Sequence, residues 1–367
     1  TKKGALSAAK YYSGSGKKTN IRIDGDDDAK VYCRTGRTFL NPYEFADSLK
    51  HLVFKSDSIT SDKKYIYSTF QGRKNGWFTY SDFDMCIAGR YADNMKTGMW
   101  CMWDCEENLL MQRDYKNGHE YEVIYSALPQ NKLTALLDGT KYSLVRNEDG
   151  FYDYFQVGEH DIGYSKTVWR TLLPGDNPIL FEETGLIKTI RKHIESGDIE
   201  VYKESDRPYR RMDTLSSEEA LSLLDTEEYE LCAIRIKEDN FFDFIRYDME
   251  CRAGMIMPVV RNKETGHEKE LFWINVADIR KFLAQERISG PGLPDYIQTL
   301  DDLFFFRYYS GMIYREANLY GNRKISDYAY GKGIEQEAQF IENMLLDMEF
   351  GLWKFYNTDF EQSNALY

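Results

Sequence analysis

Glycines at a near-constant spacing constrain the first half of this chain more than any other feature. Lys74-Asn75-Gly76-Trp77 is followed by Lys96-Thr97-Gly98-Met99-Trp100, with Gly76 and Gly98 22 positions apart. Arg90-Tyr91-Ala92-Asp93-Asn94 is echoed by Arg113-Asp114-Tyr115-Lys116-Asn117-Gly118. Short alternating runs of aromatic and polar residues lie between them, the pattern of half-buried strands. A unit of strand, Gly turn and strand buries little alone, so successive units must stack or pair to make a core. Residues from about 20 to 155 therefore read as antiparallel β-structure, either stacked hairpins or an ordinary meander. Asn20-Ile21-Arg22-Ile23 and Lys30-Val31-Tyr32-Cys33 add two further strands around an acidic turn.

Composition narrows the function classes. The net charge is −13, a field that repels a phosphate backbone, so nucleic acid is not expected despite the local patch Arg207, Arg210 and Arg211. No run is apolar enough to span a bilayer. Thr1-Lys2-Lys3-Gly4 carries no apolar signal core, which fits a cytoplasmic protein or a mature chain whose signal has been removed. Aromatic residues make up 15% of the chain, which suits strand layers and protein interfaces alike. The six cysteines permit disulfides without requiring them, and their wide spread favours free buried thiols.

The chemistry-bearing motifs fail on inspection. Ser13-Gly14-Ser15-Gly16-Lys17-Lys18-Thr19 has linker composition, and Tyr11 and Lys18 stand where a phosphate loop needs Gly and a hydroxyl. Asp24, Asp26, Asp27 and Asp28 suggest calcium, but Ala29 and Thr35 occupy the places of the EF-hand Gly and Glu. Cys101 and Cys105, four apart on a strand, would share a face, yet with His119 they still lack a fourth zinc ligand. His119-Glu120 has Val123 where a second metal-binding His belongs, and no Gly-x-Ser-x-Gly elbow occurs. No catalytic, cofactor or metal residue is therefore assigned. A carboxylate pair of the glycosidase type remains as the enzyme alternative.

Past a polar and aromatic bridge from Asn147 to Gly163 the pattern changes to mixed α and β. Helices are predicted from Thr184 to Ser196, with Leu186, Ile187, Ile190 and Ile194 inward, and from Ser216, which stands in capping-box relation to Glu219, to Leu224. A strand is predicted over Leu231–Ile236, and a hairpin joins Gly254–Val260 to Glu270–Val276 through Lys263-Glu264-Thr265-Gly266. Helices follow at Val276–Gln285, Leu300–Ala317 and about 334–355. The last carries Ile334, Ala338, Ile341, Leu345, Met348 and Leu352 at spacings of four and three, a core stripe or a coiled-coil seam.

Two resemblances sharpen this reading. The hairpin units from Tyr65 to Tyr125 are similar to MORN-type repeats. Over about 162–355, a series of segments resembles the GldN/PorN family of gliding-motility and type IX secretion proteins. Tyr164-Ser165-Lys166-Thr167-Val168-Trp169-Arg170 matches its S-K-x-V-W-R. Glu238-Asp239-Asn240-Phe241-Phe242-Asp243 resembles E-D-W-F-F-D, and Leu271-Phe272-Trp273-Ile274 resembles L-F-W-I. Leu300-Asp301-Asp302-Leu303-Phe304, Tyr314-Arg315-Glu316-Ala317-Asn318-Leu319-Tyr320 and Ile325-Ser326-Asp327-Tyr328 follow in the family's order. A final Gly331-to-Ile341 segment leads toward Trp353. After Arg170, Thr171-Leu172-Leu173-Pro174-Gly175-Asp176-Asn177 departs from the family's D-L-R-E-K-x-N.

The resemblance implies a non-enzymatic, periplasmic ring subunit at the inner face of the outer membrane. It would assemble with a GldK/PorK-like lipoprotein and contact a GldM/PorM-like motor component. It implies structural roles for Trp169, Arg170, Phe241, Phe242, Trp273, Asp302 and Trp353. Tyr314, Glu316, Asn318 and Tyr320 become candidates for a partner interface, with internal hydrogen bonding as the alternative for Glu316 and Asn318. The expected organisation is an α+β protein: a flexible lead at 1–20, a β-rich hairpin domain at 21–157, the GldN-like domain at 158–357 and a tail at 358–367. A stand-alone β-repeat binding module is the competing function.

Overall fold

The computed structural model describes residues 9–12, 18–24, 30–33, 45, 56, 58–61, 64–126, 141–182, 185–203, 213–224, 228–290 and 292–363. The Gly-Ser lead at 13–17, the acidic turn at 25–29, the Arg207, Arg210 and Arg211 patch and the Thr184 cap lie outside these residues. The chain is α+β and folds as two units. Unit 1 is Thr1–Leu144 with Phe350–Tyr367, and unit 2 is Val145–Glu349.

Unit 1 begins with an antiparallel sheet of β1 (Ala9–Tyr12), β2 (Lys18–Asp24) and β3 (Lys30–Cys33). Residues 9–12 and 18–20, expected in a flexible lead, are thus strand, because Ala9 to Tyr12 pair with Ile21 to Lys18. An eight-stranded antiparallel sheet follows in strict chain order: β4 (Ser58–Ser61), β5 (Tyr65–Phe70), β6 (Arg73–Ser81), β7 (Met85–Ala92), β8 (Met95–Asp104), β9 (Leu109–Tyr115), β10 (Tyr121–Ser126) and β11 (Lys141–Tyr142).

Gly76 and Gly98 do not make turns of this meander, whereas Gly118, at φ 81°, lies in the one between β9 and β10. Two of the others are Gln71-Gly72 and Asp93-Asn94, with φ of 48° and 69°, and 47° and 73°. This left-handed pair matches the twist of the flanking strands. Gly76 and Gly98, at φ 100° and 62°, sit inside β6 and β8, where the pairing slips between Tyr67 and Thr69 and between Ala88 and Arg90. The 22-residue spacing is a spacing of bulges. The second bulge aims Trp100 at Gly89, where a Cβ would stand 2.1 Å from the indole ring. Phe78, Tyr91 and Trp100 form the aromatic core, completed by Phe350, whose ring centroid is 5.1 Å from Phe78, and by Trp353, 6.3 Å from Trp100.

Unit 2 is built on β12 (Ile162–Leu172), β13 (Val201–Tyr202), β14 (Thr214–Leu215), β15 (Tyr229–Asp243), β16 (Asp248–Asn262), β17 (Glu268–Glu270), β18 (Trp273–Asn275) and β19 (Met312–Glu316). The sheet order is β14-β13-β18-β16-β15-β12-β19, with β17 against β16. Its helices are α1 (Leu186–Glu195), α2 (Ser217–Leu224), α3 (Val276–Leu283), α4 (Leu300–Phe305) and the first part of α5 (Lys332–Ser363). α1 ends at Gly197, φ 75°, and Ser216 and Glu219 exchange the bonds of a capping box at α2.

The expected strand at 231–236 is the start of a 15-residue one that takes in Glu238 to Asp243. The strand expected at 270–276 is split at Leu271 and Phe272, between β17 and β18, and it ends at Asn275, which pairs with Met255 and caps α3 by accepting from the Ala277 N–H at 3.2 Å. The helix expected over Leu300–Ala317 is overturned. α4 closes at Phe306, Arg307 turns left-handed at φ 49°, and Met312–Glu316 is strand. Val168, Trp169, Arg170 and Thr171 pair with Glu316, Arg315, Ile313 and Met312. Gly311 makes that approach possible, since a Cβ there would lie 2.7 Å from the Thr171 carbonyl oxygen. Sheet pairing here overrides local helical periodicity.

Candidate functional site

The segments that carry the family resemblance converge on β12 and the strands beside it. Successive residues of a strand face opposite sides, and Val168, Trp169 and Arg170 show what each side holds. Val168 packs with Ile313, Ile325, Ala338, Ile341 and Leu345 beneath α5. Trp169 packs on the other face with Ala233, Met255, Met257, Val259 and Trp273. The Arg315 guanidinium covers the Trp169 ring at 4.6 Å.

Arg170 turns back to the Val168 side and enters a buried ionic cluster. Its Nε donates to Glu238 at 2.7 Å, one terminal nitrogen donates to Glu342 at 2.7 Å, and the other reaches the Gly311 carbonyl at 3.1 Å. Arg307 donates to Glu238 at 3.3 Å, and the Tyr309 hydroxyl donates to it at 2.8 Å. Burial alone pushes the Glu238 carboxyl up, but Arg170 and Arg307 outweigh it and hold it below the usual carboxylate range. Burial pushes Tyr309 well up, and the anionic Glu238 adds to the shift. Tyr309 therefore remains a donor. This set is a charge balance of two cations and two anions.

Asp302 caps α4. Its Oδ2 accepts from the N–H groups of Gln298 and Thr299 at 2.8 and 2.9 Å and from Arg146 at 2.8 Å. Neighbouring Asp301 holds Arg280 through two bonds of 2.8 and 2.9 Å, and Arg280 also donates to the Tyr152 carbonyl at 2.6 Å. The polar bridge after Asn147 is thereby tied to the α3 and α4 region. Phe241 lies under Arg252 at 4.9 Å, and Phe242 packs edge-on to Phe244 at 5.7 Å. Arg252 and Arg246 both bind Glu250, and Arg246 also binds Asp243. Each of these buried carboxylates is engaged by arginine, an arrangement for holding strands rather than for paired acid and base work.

The candidate interface residues divide. Tyr314 is the bulged residue of β19, half-buried beneath Arg235 at 4.4 Å, where burial pushes its hydroxyl up to about 12. Glu316 is paired with Lys166 at 2.7 Å. Asn318 builds a turn: its side chain accepts from the Tyr320 N–H at 3.0 Å, and its own N–H donates to the Asn322 side chain at 2.9 Å. Gly321 and Asn322 take φ of 73° and 55°, and Arg315 bridges back to Lys324. This locked turn holds Leu319 at 102% and Tyr320 at 74% exposure. Arg323 lies over Tyr320 at 4.9 Å and Tyr328 at 4.3 Å.

In unit 1, Trp353 is buried with Lys96 over its ring at 4.7 Å and Arg113 at 5.4 Å. Phe78, Tyr80 and Trp100 are turned onto Phe350, and Trp100 also meets Trp353. Cys101 is buried in β8 and Cys105 is exposed in the turn beyond it, so the two do not share a face as expected. Among the described residues no helix is long and apolar enough to cross a membrane. Sequence reasoning missed Arg307 and Tyr309 as partners of Glu238 and Glu342 as a partner of Arg170. Their separations carry no period, and only Arg170 and Glu238 stood in a motif. The family model described as "Gliding motility associated protein GldN" matches residues 157–354, more than half of the 367 residues. No curated protein matches.

Proposed function

This chain belongs to the GldN family, and on that premise we propose that it is a non-enzymatic structural subunit of a type IX secretion and gliding-motility envelope complex. In this reading it works in the periplasm and assembles into a ring with an outer-membrane lipoprotein of the GldK/PorK kind, in reach of a GldM/PorM-like motor component. The observation that carries the reading is how unit 2 uses its polar residues. Arg170, Glu238, Arg280, Asp301 and Asp302 are consumed in internal ion pairs, while Leu319 and Tyr320 are held outward on a locked turn. Such a block recognises surfaces and transforms nothing.

The test is size-exclusion chromatography with light scattering, on the chain alone and co-expressed with its candidate lipoprotein. A stable high-mass complex containing both is expected. A monomer that ignores the lipoprotein would refute the assembly role.

A further inference from the structure

Two exposed features of this chain complement each other. The first is the locked turn already described, with Leu319 and Tyr320 outward and Arg323 stacked between two tyrosine rings. Arg323 is exposed, and no carboxylate among the described residues pairs with it.

The second is a ridge of two adjacent hairpin tips. The β6–β7 tip is Asp82-Phe83-Asp84 and the β8–β9 tip is Cys105-Glu106-Glu107. They lie side by side because Ser81 pairs with Cys86 and Met85 pairs with Asp104. Each tip is fixed by an aspartate. Asp82 accepts from the N–H groups of Asp84 and Met85 at 2.9 Å each, and Asp104 accepts from Glu106 and Asn108 at 2.9 and 2.8 Å. Phe83, at 97% exposure, stands amid Asp82, Asp84, Glu106 and Glu107.

A single exposed apolar side chain means little. Here the backbone under each is fixed by side-chain hydrogen bonds, so little backbone entropy is lost on binding, and each is rimmed by charge of opposite sign to the other.

We propose that the Leu319-Tyr320-Arg323 turn of one copy docks on the Phe83 ridge of a second copy. The occupant is favoured by charge complementarity: Arg323 is set beside exposed Leu319 and Tyr320, and the exposed Phe83 ring lies on a ridge that carries Asp82, Asp84, Glu106 and Glu107. The contact joins different patches on the two copies, so it is heterologous and propagates head to tail, closing into a ring or continuing as a filament. It rests on the assembly reading and adds the lateral partner.

The experiment is sedimentation equilibrium on the full chain with charge-reversed variants at exposed positions. Arg323→Glu alone, and Glu106→Lys with Glu107→Lys alone, are each expected to weaken self-association by about tenfold. Mixing the two variants restores it, because each then supplies the patch the other lacks, and so does combining all three substitutions in one chain. Added salt weakens the wild-type contact. A wild-type chain that stays monomeric, or variants that associate like wild type, would overturn the proposal. So would an Arg323→Glu defect confined to lipoprotein binding, which leaves the assembly reading standing and assigns the turn to that partner.

Discussion

Removing the carboxylate at the centre of the Arg170 cluster has a magnitude that follows from counting charges. Arg170 and Arg307 face Glu238 and Glu342, so the cluster is neutral. Glu238→Gln keeps the shape and leaves two guanidiniums sharing Glu342. Breaking a buried pair from one side costs about 3–5 kcal/mol, and the upper part of that range applies because both arginines lose the same acceptor. Arg170→Met leaves Glu238 with Arg307 at 3.3 Å and Tyr309 at 2.8 Å, so the lower end, about 3 kcal/mol, applies. The double variant retains Arg307 and Glu342 and is neutral again, so it should fall short of additivity by about 2 kcal/mol. Two units need not unfold in one transition, so a global midpoint is the wrong observable. Hydrogen exchange read on peptides spanning β12 and β15 gives the local opening free energy. An additive double variant, or a Glu238→Gln cost under about 1 kcal/mol, would refute the view that charge balance holds these strands.

Three further outcomes follow from other parts of the molecule. Glu238 is held below the usual carboxylate range, so its contribution is present above the unfolded value and is lost as pH falls through the native one; protection of β15 should decline in acid, with a flatter decline in Glu238→Gln. Gly89→Val drives a Cβ into the Trp100 ring, which it would approach to 2.1 Å, and should lower the calorimetric stability of unit 1 by about 1–3 kcal/mol; an unchanged transition would contradict the packing. Cys105 is exposed, whereas burial pushes the Cys86 thiol up to about 11 and raises Cys232 and Cys251; disulfide-exchange labelling mapped by mass spectrometry should therefore reach Cys105 before Cys86, Cys101, Cys232 and Cys251, and earlier labelling of Cys251 would count against the fold.

The sequence was a good guide wherever the signal was local and periodic. Glycine spacing announced the meander, and the stripe from Ile334 to Leu345 announced α5, which runs from Lys332 to Ser363. It misled where a local signal had two readings. Positive-φ glycines serve turns and bulges alike, and Gly76 and Gly98 serve bulges. Leu300, Leu303 and Phe304 share a helical face, but this stripe supports only the turns to Phe305; beyond it, pairing with β12 decides. It was silent where partners are distant. Arg170 and Glu342 meet across 172 positions, and nothing in composition or periodicity joins them. The same blindness applies to the candidate site: Tyr320 was named from a motif, but the lock formed by Asn318 and Asn322 is visible only in the fold.

The ionic core also explains why the exposed turn can be placed so firmly. β19 is a five-residue edge strand, short enough that backbone pairing alone specifies its register weakly. A slip of one residue against β12 would exchange the faces of its side chains, moving Ile313 out of the Val168 and Ile341 layer and Arg315 off the Trp169 ring. The chain just before the strand is anchored as well. Gly311 gives its carbonyl to Arg170 at 3.1 Å, and Asn177 donates to the Ser310 carbonyl at 2.8 Å while accepting from its N–H at 2.8 Å. Desolvating so many charges is a poor way to gain stability over an apolar core of the same volume. The cluster does bond the residue just before β19, through Arg170 and the Gly311 carbonyl, and the turn that presents Leu319 and Tyr320 begins at the end of that strand. The buried charges and the exposed apolar pair are therefore two ends of one device, the first fixing where the second stands.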